Sequence, residues 1–180
     1  TGNVAVGYQA LDANTTADYS TAVGYAALGA NTTGASNAAV GAYALDANTT
    51  GTLHVAVGHL ALSANTTGAQ NTALGQNALA SNTTASLNTG VGYLALLANT
   101  TGANNTAVGA YALDSNTTAA NNTAMGWSAL TANTTGHSNT AVGKDAGDNI
   151  TTGDSNIIIG SGIDAASATA DNQLSIGGWI

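Results

Sequence analysis

Histidine and aspartate are the side chains of this sequence best suited to bind a metal or move a proton. The chain has three histidines, His54, His59 and His137, and no cysteine. His54 and His59 are five residues apart, and two imidazoles at that spacing can share a metal ion. No carboxylate or thiol recurs at a matching position to complete the ligand set. We therefore interpret the histidines as substitutions on solvated turns.

Four of the nine acidic residues share one position of a sequence repeat, namely Asp12, Asp46, Asp114 and Asp148. Carboxylates are calcium ligands, but at least one repeat separates each of these from the next. Solvated surface is the interpretation that we adopt. No Ser-His-Asp set, phosphate-binding glycine loop or catalytic carboxylate pair stands out. The sequence therefore predicts no catalytic residue, no metal and no cofactor, and we expect that the protein is not an enzyme.

A strict seventeen-residue repeat organises the whole chain. Its consensus is Asn-Thr-Ala-Val-Gly-Tyr-x-Ala-Leu-x-Ala-Asn-Thr-Thr-Gly-x-x. A short fixed period is typical of a solenoid, in which each coil buries its apolar face by stacking on its neighbours. A glycine at one fixed position indicates a turn with positive φ or a close approach of two backbones. These glycines are Gly7, Gly24, Gly41, Gly58, Gly75, Gly92, Gly109, Gly126, Gly143, Gly160 and Gly177.

The repeat is too short for two helices with their turns, and Asn-Thr-Thr-Gly disfavours a helix. Thr-Ala-Val predicts one strand of each coil, and the stretch from Ala-Leu to Asn-Thr-Thr predicts a second. The predicted fold is all-β: a parallel β-solenoid, or β-roll, with seventeen-residue coils and two short strands per coil. Coils about 4.8 Å apart would form a rod of roughly 50 Å.

The repeats are regular over residues 1–146 and diverge over residues 147–180. In the second part Gly147 replaces leucine, Ile150 replaces asparagine, and three isoleucines replace Thr-Ala-Val at 157–159. This change predicts a cap or a transition into a further domain.

One asparagine of each Asn-Thr-Thr unit forms a ladder along the array. Asparagine side chains in register can hydrogen-bond from coil to coil, as in cross-β stacks. The predicted structural ladder consists of Asn14, Asn31, Asn48, Asn65, Asn82, Asn99, Asn116 and Asn133.

Alanine is paired with a larger apolar residue at two places in the repeat, as Ala-Val and as Ala-Leu. Adjacent strand residues face opposite sides of a sheet. If the alanines line the interior, the valines and leucines form exposed stripes, and another copy of the chain is their natural cover. The converse arrangement, with valine and leucine inside, would give a monomer.

Charge excludes several partner classes. Lys144 is the only basic residue, and the formal net charge is −8. Nucleic acids and anionic membrane surfaces bind through lysine and arginine, so neither is an expected partner. No run of eighteen apolar residues occurs, so we expect no membrane insertion.

Most aromatic residues fall at the two positions after the repeat glycine, and Trp179 falls there as well. Tyrosine and tryptophan at one edge of a rod can stack on sugars or pack between subunits. Both interpretations stay open. The candidate partner-contact or glycan-contact residues are Tyr8, Tyr25, Tyr43, Tyr93, Tyr111 and Trp127.

N-glycosylation sequons are abundant. All eight Asn-Thr-Thr units satisfy the sequon, and so do Asn104, Asn121 and Asn149 with the residues that follow them.

Two families resemble parts of the chain. The unit Asn-Thr-Ala-Val-Gly at 105–109 resembles the Asn-Ser-Val-Ala-Ile-Gly coils of trimeric autotransporter adhesin heads, which are left-handed trimeric β-rolls with somewhat shorter coils. Residues 145–157 and 171–180 are similar to bacteriophage tail-fibre segments that precede a self-cleaving chaperone of the endosialidase type. The resemblance implies a homotrimer, located in a virion tail fibre or on a cell surface.

The function we expect is that of a structural and binding rod in an extracellular fibre, such as a phage tail-fibre shaft or a surface adhesin. Its expected partners are identical chains and a cell-surface glycan or receptor. One alternative is a self-assembling extracellular filament. Another is an ice-binding solenoid that uses the threonine ladder Thr15, Thr32, Thr49, Thr66, Thr83, Thr100, Thr117, Thr134 and Thr151.

Overall fold

Each seventeen-residue repeat forms one coil of a parallel β-solenoid, as the sequence predicts. The computed structural model describes residues 2–177, which contain strands and turns and no helix. Each strand residue pairs with the residue seventeen positions later, and the strands follow one another in sequence order in a single sheet. The strands are β1 Val4–Val6, β2 Thr21–Val23, β3 Ala38–Val40, β4 Val55–Val57, β5 Thr72–Leu74, β6 Thr89–Val91, β7 Thr106–Val108, β8 Thr123–Met125, β9 Thr140–Val142, β10 Ile157–Ile159 and β11 Leu174–Ile176.

The middle residue of each strand points into the solenoid and its two neighbours point outward. In β7, Ala107 is fully buried, whereas Thr106 and Val108 are partly exposed. This alternation follows from the pleat of a strand. The prediction that the strand alanines line the interior and the valines lie outside is therefore confirmed.

The prediction of a second strand in each coil is wrong for the described residues. After the repeat glycine the chain forms consecutive turns, such as those closed by Ala44 N–H to the Gly41 carbonyl at 3.3 Å and Asn48 N–H to the Leu45 carbonyl at 3.1 Å. Tyr43 and Leu45 have φ values of 60° and 54°, in the left-handed region, which no strand contains. The same pattern of positive φ recurs from coil to coil.

These turns also overturn the prediction that the leucine ladder lies outside. A strand would place consecutive residues on opposite faces, but the turn buries both members of the Ala-Leu pair. Ala44 and Leu45 are both completely buried, as are the corresponding residues of the other regular inner coils. The core is therefore a narrow stack of leucines and alanines, and the external apolar stripe comes from the strand residues alone.

The repeat glycine meets both requirements inferred from the sequence. In ten of the eleven glycines φ lies between 131° and 143°, a conformation that L-residues rarely adopt. A Cβ atom on Gly92 would lie 2.6 Å from the carbonyl oxygen of Gly109 in the next coil. Neighbouring coils are thus in direct backbone contact at this corner.

The core changes composition where the sequence diverges. Ile158 takes the place of a strand alanine, and Gly147 takes the place of a core leucine. A Cβ atom on Gly147 would lie 3.2 Å from Cγ1 of Ile158 and 3.4 Å from Cδ1 of Ile150. The larger residues at 150 and 158 therefore fill the space that the missing leucine leaves, which keeps the core volume nearly constant.

Candidate functional site: an aromatic edge beside an uncharged strand face

The outward side chains of the strands form one continuous surface, which we call the strand face. It consists of the first and third residues of β1 to β11. Its third-residue rank is apolar throughout, and Val6, Val40 and Val57 are 56%, 40% and 40% exposed. Its first-residue rank is threonine in five successive strands, β5 to β9. A long, partly exposed apolar surface therefore runs along the described rod.

No residue of the eleven strands is charged. All nine acidic residues of the chain are aspartates, and each lies in a turn or a connecting segment. The net negative charge is therefore carried by the other sides of the coil, and the strand face is electrically neutral.

The candidate aromatic residues lie together at the corner next to the strand face, and we call Tyr8, Tyr25, Tyr43, Tyr93, Tyr111 and Trp127 the aromatic edge. They form two groups of three rings, and each ring contacts the next one in its group. Centroids are 5.5 Å apart between Tyr8 and Tyr25 and 5.2 Å apart between Tyr25 and Tyr43. These distances fall in the range of favourable aromatic pairs.

The second group is built in the same way, with centroid distances of 5.4 Å from Tyr93 to Tyr111 and 6.1 Å from Tyr111 to Trp127. Gln76 occupies the corner between the two groups. Lys144 continues the second group, since its Nζ atom lies 5.2 Å from the Trp127 ring centroid and 3.4 Å from a carboxylate oxygen of Asp145. Trp179 lies outside the described residues.

The asparagine ladder predicted from the Asn-Thr-Thr units is present in the interior. From Asn48 to Asn133, each asparagine donates from Nδ2 to Oδ1 of the asparagine one coil earlier, as Asn99 does to Asn82 at 2.9 Å. Asn99 Nδ2 also donates to the Gly102 carbonyl at 3.0 Å. The ladder ends at Asn133, whose buried Oδ1 has no donor because Ile150 stands in the next coil.

A second buried ladder was missed at the sequence level. Its members precede the strand: Asn88 Oδ1 accepts from the Asn105 backbone N–H at 2.9 Å, and Asn105 Nδ2 donates to the Ala119 carbonyl at 2.8 Å. The signal in the sequence was the first asparagine of the consensus, which recurs in most coils. The ladder comprises Asn37, Asn71, Asn88, Asn105, Asn122, Asn139 and Asn156, with His54 in the same rank.

His54 is buried, so its interpretation as a solvated substitution is wrong. Its Nδ1 atom accepts a hydrogen bond from the backbone N–H of Asn71 at 3.1 Å. Its Nε2 atom lies 2.7 Å from the Gly68 carbonyl and must donate there. This pattern requires a neutral ring with the proton on Nε2. Burial lowers the pKa of His54, and the bond to the Gly68 carbonyl offsets part of that effect.

We expect His54 to make the protein less stable in mild acid. The unfolded chain takes up a proton near pH ~6.5, whereas the folded chain does so only at its lowered pKa. The free energy of unfolding should therefore fall as the pH drops below ~6.5. It should level off once the pH is below the pKa of His54 in the folded chain. In His54→Asn this dependence should vanish, since asparagine occupies the same rank in the adjacent coils. Urea titrations from pH 8 to pH 5 measure it, and equal slopes for the two proteins would contradict the assignment.

The other candidate metal ligands are dispersed. His59 lies outside the coil with its ring centroid 6.3 Å from that of Tyr43, while His54 lies inside. His137 is exposed, and its Nδ1 accepts from Ala120 N–H at 2.9 Å. Among residues 2–177 no three histidine or acidic side chains lie together as a metal site requires.

Of the four aspartates of the shared repeat position, Asp12 is exposed, and Asp46, Asp114 and Asp148 are partly buried. Asp114 Oδ1 accepts from the Thr131 hydroxyl at 2.8 Å. Burial raises the pKa of Asp46. Burial, followed by the nearby Asp164 carboxyl, raises the pKa of Asp148.

In the threonine ladder that suggested ice binding, the side-chain hydroxyls donate hydrogen bonds to backbone carbonyls of the next coil. The Thr100 hydroxyl donates to the Thr117 carbonyl at 3.0 Å, and the equivalent bond recurs along the ladder. By contrast, the hydroxyls of Thr72, Thr89, Thr106, Thr123 and Thr140 on the strand face make no hydrogen bond to any described residue. The second threonine of each Asn-Thr-Thr unit is exposed as well, and its hydroxyl also makes no hydrogen bond to a described residue. The hydroxyls available to an outside ligand therefore lie both on the strand face and in this second threonine rank.

The described part of the chain has no helix with the length and apolarity that a membrane crossing requires. In comparisons with known proteins, no family model, no curated protein and no solved structure matches this chain.

Proposed function

We propose that this chain is a segment of an extracellular structural and binding rod, such as a phage tail-fibre shaft or a surface adhesin, and that it associates with identical chains. The observation that carries the proposal is the uncharged apolar strand face, which extends over all eleven strands. Apolar surfaces of this extent on soluble proteins generally mark a site of association.

The distribution of charge favours identical chains as the partners that cover the strand face. Copies with a net charge of −8 repel one another across most of their surface. They can approach most closely through the strand face, which carries no charge. Three copies around one axis is the arrangement implied by the resemblance to trimeric β-rolls.

The aromatic edge is the part of the rod that we assign to an external glycan or receptor. It lies beside the strand face, and Tyr8, Tyr25 and Trp127 remain 69%, 45% and 48% exposed. An assembly of identical chains would carry several copies of the aromatic edge. Weak contacts repeated in this way give firm attachment through avidity.

The association state tests the proposal. Sedimentation equilibrium should give the mass of three 17.3 kDa chains for the natural sequence. Val57→Lys places a charge on the strand face and should give monomers with an unchanged circular dichroism spectrum. Thr50→Lys, at an exposed position away from the strand face, is the matched control and should stay associated. A monomeric natural chain at tens of micromolar would overturn the proposal.

Ice binding is a second candidate, favoured by one observation. Five successive strands combine an unpaired threonine hydroxyl with an apolar neighbour on one regular surface. Such a surface can order water only if no partner covers it, so this function requires a monomer. Thermal hysteresis in the natural chain that is lost in Thr106→Lys would favour ice binding over the rod, and its absence would exclude ice binding.

A further inference from the structure

Eleven asparagines of the chain satisfy the N-glycosylation sequon, and they differ in burial and in hydrogen bonding. A transferase that reads the sequon needs a free asparagine amide and an accessible threonine hydroxyl two residues later. Burial and hydrogen bonding of these two groups therefore decide which sequons remain usable after folding.

The eight Asn-Thr-Thr sequons are closed, because their asparagines form the first buried ladder. Asn31 and the six ladder asparagines that follow it have no exposed surface, and Asn14 is half-buried with its Nδ2 directed at the Ala17 carbonyl. Asn149 is closed as well, since its side chain donates to the Ala165 carbonyl at 2.8 Å and accepts from the Ala165 N–H at 3.1 Å.

Asn104 and Asn121 are open. Both side chains are exposed, and neither makes a hydrogen bond to another described residue. Their backbones are held by N–H bonds to the carbonyls of Ser86 at 3.2 Å and Ala103 at 3.1 Å. The hydroxyls of Thr106 and Thr123, which complete the two sequons, are also without a partner among the described residues.

The rank that contains Asn104 and Asn121 accepts side chains of any size. In other coils it holds Tyr19, Leu53 and Gln70, all exposed and with φ of 58–60°. The side chain at this corner therefore points outward whatever its bulk. A sugar attached at this corner would extend into solvent without disturbing the core.

We propose that Asn104 and Asn121 are N-glycan acceptor sites of the folded chain. In the reaction, Nδ2 forms a bond to C1 of a sugar donated by a sugar diphosphate compound. The bond from C1 to the diphosphate oxygen breaks, the diphosphate leaves with its electron pair, and the amide proton passes to the transferase. Thr106 and Thr123 belong to the strand face, so the transfer takes place on chains whose strand face is uncovered.

The test uses the dilute folded chain, UDP-glucose and a soluble transferase specific for Asn-x-Ser/Thr. Residues 96–107 contain both a closed sequon, at Asn99, and an open one, at Asn104. A synthetic peptide of that span should be modified at both asparagines. In the folded chain, peptide mapping should find hexose on Asn104 or Asn121 and at least tenfold less on Asn99.

The variant Asn104→Gln with Asn121→Gln should take up no hexose and unfold as the natural chain does, because Gln70 already occupies the same rank with the same φ. Hexose on Asn99 at a level similar to Asn104 in the folded chain would overturn the proposal. So would a folded chain that stays unmodified while the peptide is modified.

Discussion

Replacing Gly92 by alanine is expected to lower the free energy of unfolding by about 4 kcal/mol, through backbone strain and overpacking together. The φ of Gly92 is 136°, and the new methyl group would lie 2.6 Å from the Gly109 carbonyl and 2.9 Å from the Ala110 nitrogen. These atoms belong to the backbone of the next coil, so the contact can be relieved only by separating two coils. Urea unfolding, together with hydrogen exchange at the neighbouring coils, measures the loss.

Gly162→Ala is the matched control for this substitution. Gly162 also has a positive φ, 63°, but a Cβ atom there meets nothing within 4 Å. Alanine at 162 should therefore cost only the backbone term, about 1 kcal/mol. If the two variants lost the same stability, the close approach between coils at Gly92 would have no energetic role.

Replacing Asn99 by alanine is expected to cost about 3 kcal/mol, because buried polar groups lose their partners. Asn99 donates to Asn82 Oδ1 and to the Gly102 carbonyl, and it accepts from Asn116 Nδ2 at 2.8 Å. Its removal leaves Asn82 Oδ1 without the ladder donor and Asn116 Nδ2 without the ladder acceptor. Thermal unfolding of the purified variant measures the effect.

Asn133→Ala separates the ladder bond from the other contacts of the side chain. Asn133 donates to Asn116 Oδ1 at 3.3 Å and to the Gly136 carbonyl at 3.0 Å, but its own Oδ1 has no donor. The Asn133 variant should therefore lose about 1 kcal/mol less than the Asn99 variant, the usual net contribution of one hydrogen bond. A larger loss at Asn133 would show that the side-chain bonds between coils do not set the order of stability.

The period alone allowed the solenoid, its parallel register and the position of the glycine corner to be predicted. The orientation of the strand alanines and valines also followed, because alternation is a fixed property of a strand. Leu45 and its equivalents were misplaced because leucine is rare in the left-handed region, so Ala-Leu was interpreted as a strand. The residue types in that segment do not indicate the positive φ values that bury both members of the pair.

The interior role of His54 could have been inferred from its rank. It occupies a position that is asparagine in most other coils, and Asn37 and Asn71 flank it one coil away on either side. Polar residues are usually exposed, which favoured a surface interpretation of that asparagine. The pairing of Gly147 with Ile158 was likewise visible as two coincident departures from the repeat, but only the structure places Gly147 next to the Ile158 side chain.

The pairing of every strand residue with the residue seventeen positions later has a consequence for how such a chain changes over time. Deleting or duplicating one whole repeat returns every rank to register, and each coil contacts only its two neighbours. The rod can therefore lengthen or shorten in steps of about 4.8 Å without new contacts having to arise. The linked pair Gly147 and Ile158 must be kept together in such an exchange. In the regular coils, selection can therefore adjust the length of the rod in whole-coil steps without altering the contacts between neighbouring coils.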